Sequence, residues 1–134
     1  MDQATLVSEQ IEAGRDFLRR LDATVLPVKT AFWIKEPDRR YWRLYIASDK
    51  IDDANQRVGL NEVARVAQEM RDPEIDPFRI RVIPGNKKVI TAVLELQSFY
   101  PGKPIRRGDI PLGDIYAEAV YIYPSPLPAA ATTP

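Results

Sequence analysis

The sequence predicts an α+β domain in which a mainly antiparallel sheet of four to five strands carries two to three helices on one face. Three segments, residues 41–46, 78–82 and 120–123, alternate aliphatic residues with aromatic or cationic ones. Successive side chains of a strand point to opposite faces, so these segments predict a sheet with one buried face. Two other segments have the apolar spacing of amphipathic helices. The predicted order of elements is α-β-β-α-β-α-β-β.

The first helix is expected over residues 3–22. Its apolar stripe would consist of Val7, Ile11, Leu18 and Leu21. Gly14 lies within this stripe, although glycine destabilises a helix interior by up to about 1 kcal/mol relative to alanine. We therefore expect another element to approach the helix backbone closely at Gly14.

A β-hairpin is expected next, because residues 28–35 and 41–48 are rich in β-branched and aromatic residues. Residues 36–39, Glu-Pro-Asp-Arg, supply the turn between the two strands. The aliphatic face should hold Phe32, Ile34, Trp42, Leu44 and Ile46. The opposite face should hold Ala31, Trp33, Lys35, Tyr41, Arg43 and Tyr45.

The middle of the chain predicts a second helix over residues 60–71, which Asp72-Pro73 ends, and a third strand over residues 77–83. Residues 86–98 have two interpretations. They form a strand if Pro84-Gly85-Asn86 is a hairpin turn, or a helix if Asn86 is its N-cap. We favour the helix, because the segment lacks the polar alternation of a half-exposed strand.

The last two strands are expected over residues 105–110 and 115–123, joined around residues 111–114. Glu118 breaks the alternation, because it would lie on the aliphatic face with Val120 and Ile122 unless a bulge or a sheet edge accommodates it. Residues 1–123 are expected to form a single domain. Residues 124–134, rich in proline and alanine, are expected to form a flexible tail.

Two sequence segments carry a resemblance to a known family. Residues 42–48, Trp-Arg-Leu-Tyr-Ile-Ala-Ser, and residues 113–123, which begin Gly-Asp-Ile-Tyr, resemble parts of a small uncharacterised bacterial α+β protein family of similar length. The order of elements is also similar. The resemblance implies a helix over residues 86–98, and it implies no substrate and no mechanism.

Composition excludes several kinds of chemistry. The 134 residues contain no cysteine, so disulfides, thiolate nucleophiles and zinc–thiolate sites are excluded. They also contain no histidine, which excludes His-ligated metals and Ser-His-Asp catalysis. No apolar segment approaches the roughly 20 residues of a membrane-spanning helix. Without an apolar N-terminal signal, the expected location is the cytoplasm, with no membrane partner.

Charge is balanced in total but separated along the chain. The 19 basic and 19 acidic residues cancel, which argues against general electrostatic attraction to nucleic acid. Residues 49–76 carry eight acids and four bases, a net charge of −4. Residues 79–107 carry seven bases and one acid, a net charge of +6. The two segments are expected to complement each other in the fold.

The sheet face that carries rings and cations is the candidate functional surface. Tyrosine and arginine are favoured in protein interfaces, so the sequence predicts a non-catalytic domain that binds another protein or a second copy of itself as a homodimer. No cofactor is expected, and no catalytic or metal-binding residue is assigned. The expected partner-binding residues are Trp33, Tyr41, Arg43, Tyr45, Arg79, Arg81 and Tyr121.

Two other functions fit parts of the sequence. Single-stranded nucleic acid also binds surfaces of rings and cations, since each base that stacks on a ring gains about 1–3 kcal/mol. The Lys/Arg-Gly-aromatic strand typical of RNA-recognition sheets is absent, so this hypothesis is the second. The third is a Mg²⁺-dependent phosphodiesterase that uses Asp49, Asp52 and Asp53, but no Glu-x-Lys or Asp-x-Lys triplet accompanies these acids.

Overall fold

The structure, a computed structural model, describes residues 6–24 and 26–124. Within these ranges it has the predicted α+β class and the predicted order of elements. The predicted tail lies, except for Pro124, outside the described residues. The elements are α1 (Ser8–Asp22), β1 (Thr30–Lys35), β2 (Arg43–Ser48), α2 (Gln56–Met70), β3 (Ile80–Pro84), α3 (Lys88–Phe99), β4 (Ile105–Leu112) and β5 (Ile115–Ile122).

The described strands form one five-stranded mixed sheet in the order β3-β2-β1-β5-β4. β1 pairs antiparallel with β2 and with β5, and β4 pairs antiparallel with β5. β2 and β3 are parallel, so the sheet is mainly and not purely antiparallel. A parallel pair needs a crossover, and α2 provides it between the end of β2 and the start of β3.

Helices cover both faces of the sheet. Two of them lie on one face, as predicted, because α1 and α2 pack there against Ala31, Trp33, Leu44, Ile46, Val82 and Tyr121. The third helix, α3, packs on the other face against Phe32, Ile34, Tyr45, Ala47, Val120 and Ile122. The preference for a helix over residues 86–98 is therefore confirmed. The prediction of a sheet with one open face is wrong, because this helix covers it.

The register of β1 and β2 explains why the predicted faces are mixed. Trp33 lies opposite Leu44, and Phe32 lies opposite Tyr45. Residues that lie opposite each other share a face, so Trp33 joins the aliphatic residues, and Phe32 joins the tyrosine. A shift of one residue in the register moves every side chain to the other face. The two strands are joined by residues 36–42, a longer loop than the predicted four-residue turn.

The β4–β5 hairpin contains an irregularity that accommodates Glu118. The backbone of Asp109 is left-handed, with φ of 50°. The α3 side of the sheet holds Ile105 before this residue and Leu112 after it, an odd number of positions apart, so the alternation is interrupted. β5 is interrupted at the same level, since Ala117 and Val120 both lie on this side and Glu118 between them is exposed. Its Oε1 accepts a hydrogen bond of 2.8 Å from the nearly buried Lys35 Nζ.

None of the helices described is both long enough and apolar enough to cross a membrane.

Candidate functional site

The predicted site residues do not share one surface. Trp33 and Tyr121 lie opposite each other on β1 and β5, beneath α1, and are 3% and 5% exposed. Tyr45 is 3% exposed and lies on the α3 side of the sheet with the nearly buried Arg43. The remaining three are accessible, since Tyr41 is half-buried and Arg79 and Arg81 are exposed. The prediction that all seven form one open face is wrong.

Trp33 has a structural role beneath α1. Its Nε1 donates a hydrogen bond of 2.8 Å to the hydroxyl of Tyr123, and that hydroxyl donates one of 2.8 Å to the backbone oxygen of Ile11 in α1. The ring of Tyr121 meets that of Tyr123 edge to face, with centroids 5.2 Å apart. These side chains join the sheet to the helix, so they offer no surface to a partner.

Tyr45 is enclosed by groups of its own chain. Its ring stacks on Phe32 with centroids 5.4 Å apart, and its hydroxyl donates a hydrogen bond of 3.3 Å to Glu36 Oε1. Arg43 Nη1 donates to the same oxygen at 3.2 Å. The guanidinium carbons of Arg43 and Arg81 lie 5.5 and 5.6 Å from the centre of the Tyr45 ring. No nucleic acid base could stack on this ring without displacing these groups.

The burial of these tyrosines predicts a loss of stability in alkali. Burial raises the pKa of Tyr45, Tyr121 and Tyr123 above the ordinary tyrosine value of about 10. The folded protein therefore keeps phenol protons that the unfolded chain loses. The free energy of unfolding should be constant with respect to these groups below pH of about 10 and should fall as the pH rises further.

Urea denaturation between pH 8 and 11 measures this fall, and Tyr123→Phe should make it shallower. If the tyrosines caused no fall in the free energy of unfolding above pH 10, their rings would lie in water. That is the environment that the predicted open face would give them.

Phe78 has the most exposed large apolar side chain among the described residues, although the sequence pattern predicted that it would be buried. Phe78 is 94% exposed. The alternation of residues 78–82 counted it as the first inward residue of β3, but it belongs to a 3-10 turn, Pro77–Arg79, that precedes the strand. The dipeptide Asp76-Pro77 is the signal that could have shown this, because Asp is a good N-cap and Pro suits the first position of a turn.

Hydrogen bonds hold the Phe78 turn in place. Asp76 Oδ1 accepts a bond of 2.9 Å from the backbone nitrogen of Phe78, and Asp76 O accepts one of 2.9 Å from the backbone nitrogen of Arg79. The Arg79 guanidinium lies 4.3 Å from the centre of the Tyr41 ring and its Nε lies 3.7 Å from Asp76 Oδ2. Phe78 is thus presented to solvent on a defined backbone.

A groove lies directly beside this turn. Its volume is about 530 Å³, and it runs between the outer side of α2 and the segment that leads to β3. Pro77, the residue before Phe78, forms part of its wall. The lining residues are Ala64, Ala67, Gln68, Arg71, Asp72, Pro73, Ile75 and Pro77. The small alanines of α2 leave the space open.

A larger cleft, of about 600 Å³, lies at the carboxyl ends of the parallel strands β2 and β3. Ligands of α/β proteins often bind at such a place. Two acids of the cleft are paired within the chain, because Lys29 Nζ lies 3.1 Å from Asp49 Oδ1 and Lys87 Nζ lies 3.6 Å from Asp53 Oδ1. Lys88 and Asp114 also line the cleft. Asp52 Oδ1 accepts bonds from the backbone nitrogens of Ala54 and Asn55, at 2.8 and 3.0 Å, so it stabilises the loop.

The residues described contain no group of three or more acidic, histidine or cysteine side chains that could hold a metal ion. The geometry therefore adds no support to the phosphodiesterase hypothesis.

No protein-family model, no curated protein and no solved structure matches the chain. The resemblance of residues 42–48 and 113–123 to a small bacterial family stays a prediction.

Proposed function

We propose that this chain is a non-catalytic protein-interaction domain of the cytoplasm, and that its contact surface is the sheet edge around Phe78. We call this surface the Phe78 edge. It consists of the Phe78 turn, the accessible residues Tyr41, Arg79 and Arg81, and the groove beside α2. The observation that carries the proposal is the 94% exposure of Phe78.

An exposed phenylalanine leaves a large stabilisation unused. Full burial of such a side chain gains about 1.5–3 kcal/mol. Single exposed apolar residues are common on protein surfaces, so exposure by itself is weak support. Phe78 differs because Asp76 accepts hydrogen bonds from the backbone nitrogens of Phe78 and Arg79, which fix the turn that presents it. Burial of the ring by a partner would therefore cost little backbone entropy, because the turn is already ordered.

The neighbours of Phe78 are those of an interface. Aromatic residues and arginine are enriched at protein contacts, and the strongest contacts are rings that fill pockets. Arg79 already stacks on Tyr41, so a partner would meet a fixed cation and a fixed ring next to Phe78. Three of the seven residues first assigned to partner binding thus remain, namely Tyr41, Arg79 and Arg81. The other four support the fold.

Single-stranded nucleic acid is less well supported. Of the rings expected to stack on bases, Trp33, Tyr45 and Tyr121 are buried. Phe78 and Tyr41 would be left as rings, with Arg79 and Arg81 as cations. Two phosphate contacts predict a slope of log affinity against log salt of about −1.4, at about −0.7 for each contact.

A photo-crosslinking residue in place of Phe78 tests the proposal in an extract of the cells that make the protein. We expect a discrete adduct with a protein. If the adduct contains another protein, excess unlabelled wild-type chain should suppress it, and excess Phe78→Ala chain should not. The matched control carries the same residue in place of Phe99, which is 70% exposed at the end of α3 and should give no such adduct.

The control variant Phe78→Ala should be folded, because a substitution at an exposed residue changes the free energy of unfolding by about 0.5 kcal/mol or less. Equal adducts at positions 78 and 99, adducts with another protein that the wild-type chain does not suppress, or adducts with nucleic acid alone would each contradict the proposal.

A further inference from the structure

We infer that the partner of the Phe78 edge is a second copy of this chain, paired about a twofold axis so that each Phe78 fills the groove of the other copy. The inference rests on the proposed function, since it uses the same surface, and it adds the identity of the partner. Three features of this surface support it: the position of the groove, its shape and the order of charges along the chain.

The Phe78 side chain and the groove are neighbours on the surface. Phe78 follows Pro77 directly, and Pro77 lines the groove. Because Phe78 is 94% exposed, its ring does not enter the groove of its own chain. Two copies that face each other across a twofold axis beside Pro77 bring each ring to the groove of the other. Such an arrangement is closed, since both rings and both grooves are used.

The groove suits an aromatic ring. Its volume of about 530 Å³ lies within the range of about 300–1,000 Å³ that accommodates small organic ligands. Ala64 and Ala67 form its α2 side, and Pro73, Ile75 and Pro77 form the other. These five side chains are apolar, whereas Gln68, Arg71 and Asp72 complete the lining. Asp72 Oδ1 already accepts a hydrogen bond of 2.9 Å from the backbone nitrogen of Glu74.

Charge along the segment makes the surface complementary to itself. Asp72, Glu74 and Asp76 precede Phe78, whereas Arg79 and Arg81 follow it. A twofold axis perpendicular to this segment runs its two copies antiparallel. Glu74 of one copy then faces Arg81 of the other, whereas a parallel arrangement would bring like charges together. Asp76 Oδ2 and Arg79 Nε lie 3.7 Å apart within each copy, so these two residues are already paired. Complementary charges of this kind fix the orientation of a contact.

Sedimentation equilibrium tests the inference on the full chain. We expect the wild-type protein to form a dimer, and no larger species, in the micromolar range. Phe78→Ala should weaken the dimer at least tenfold, as loss of a central interface residue does. Ala64→Phe, which fills the groove at an exposed position of α2, should weaken it as well. The control Phe99→Ala should leave it unchanged.

A charge exchange tests the orientation. Glu74→Lys and Arg81→Glu alter exposed side chains on opposite sides of Phe78. Each variant alone should pair several-fold more weakly than the wild-type chain. An equimolar mixture of the two should regain pairing, because each reversed charge then meets a reversed partner.

The outcomes separate this inference from the proposed function. A wild-type chain that is monomeric at high micromolar concentration overturns self-pairing, as does a dimer that Phe78→Ala leaves unchanged, or open oligomers larger than two. In the first case the proposed function still stands if the crosslink at position 78 captures a different protein that wild-type chain displaces. A crosslinked species of twice the chain mass, which persists in excess wild-type chain because that chain is then the partner, supports both.

Discussion

Replacing Gly113 with alanine should lower the free energy of unfolding by about 3 kcal/mol, through strain and a backbone clash together. Gly113 lies in the turn between β4 and β5 with φ of 63°, a conformation that residues with a side chain adopt at a cost. A Cβ atom there would also lie 2.5 Å from Lys88 C and 2.7 Å from Val89 N. These atoms belong to the backbone of the first turn of α3, so they cannot rotate away.

Gly102 provides the matched control for this substitution. Its φ is 75°, but a Cβ atom at this position would meet nothing within 4 Å. Gly102→Ala should therefore cost only the backbone strain, about 1 kcal/mol. Urea denaturation of the wild-type protein and the two variants gives the comparison. Equal losses for Gly102→Ala and Gly113→Ala would contradict the tight packing of the β4–β5 turn on α3.

The contact at Gly113 shows what a sequence can and cannot predict. The turn between the last two strands was predicted from Pro111, Gly113 and their neighbours, because turn chemistry is local. The approach of that turn to Lys88 and Val89 is not local, and no pattern in the sequence reports it. Yet contacts of this kind hold α3 on the sheet. Its presence there is what closes the face that the sequence left open.

The order of elements was predictable because apolar spacing is a property of short segments. The stripes of α1 and α2 and the helix over residues 86–98 all appeared in the sequence. The faces were not predictable, because they depend on how β1 and β2 pair across a loop of seven residues. A shift of one residue exchanged Trp33 with Phe32. The predicted open face does not exist for two reasons. The register of β1 and β2 could not be predicted, and a helix covers the face.

The exposure of Phe78 was not predicted, because its position in the sequence fits the alternation of a strand. It alternates correctly with Ile80 and Val82, so it was assigned to the strand. The turn that begins at Asp76 places it before the strand instead. The acidic segment ends at Asp76 and the basic one begins at Arg79, so Phe78 lies between the two in the sequence. No prediction about Phe78 was drawn from this separation of charge.

The interface around Gly14 gives the second prediction of large effect. The sequence predicted a close approach at this residue, and the hydroxyl of Tyr123 makes it, with Trp33 Nε1 beside it. Alanine favours a helix interior by about 1 kcal/mol over glycine. A Cβ atom at position 14 would nevertheless overlap the Tyr123 hydroxyl. Gly14→Ala should therefore destabilise the protein by about 2 kcal/mol in spite of the better helix former.

The Tyr123 hydroxyl cannot move aside easily, because it accepts a bond from Trp33 Nε1 and donates one to Ile11 O, both 2.8 Å long. Tyr123→Phe alone removes both bonds and should cost about 1–3 kcal/mol, since it leaves buried polar groups without a partner. The same change also removes the oxygen atom that a Cβ atom at position 14 would meet.

The double variant Gly14→Ala with Tyr123→Phe should thus be no less stable than Tyr123→Phe alone. A double-mutant cycle measured by urea denaturation should give a coupling of about 2 kcal/mol between the two positions. Additive losses would mean that α1 does not approach the sheet through this hydroxyl. Non-additive losses would show that Gly14 sets the distance between α1 and the strands on which it packs, although glycine makes the helix itself less stable.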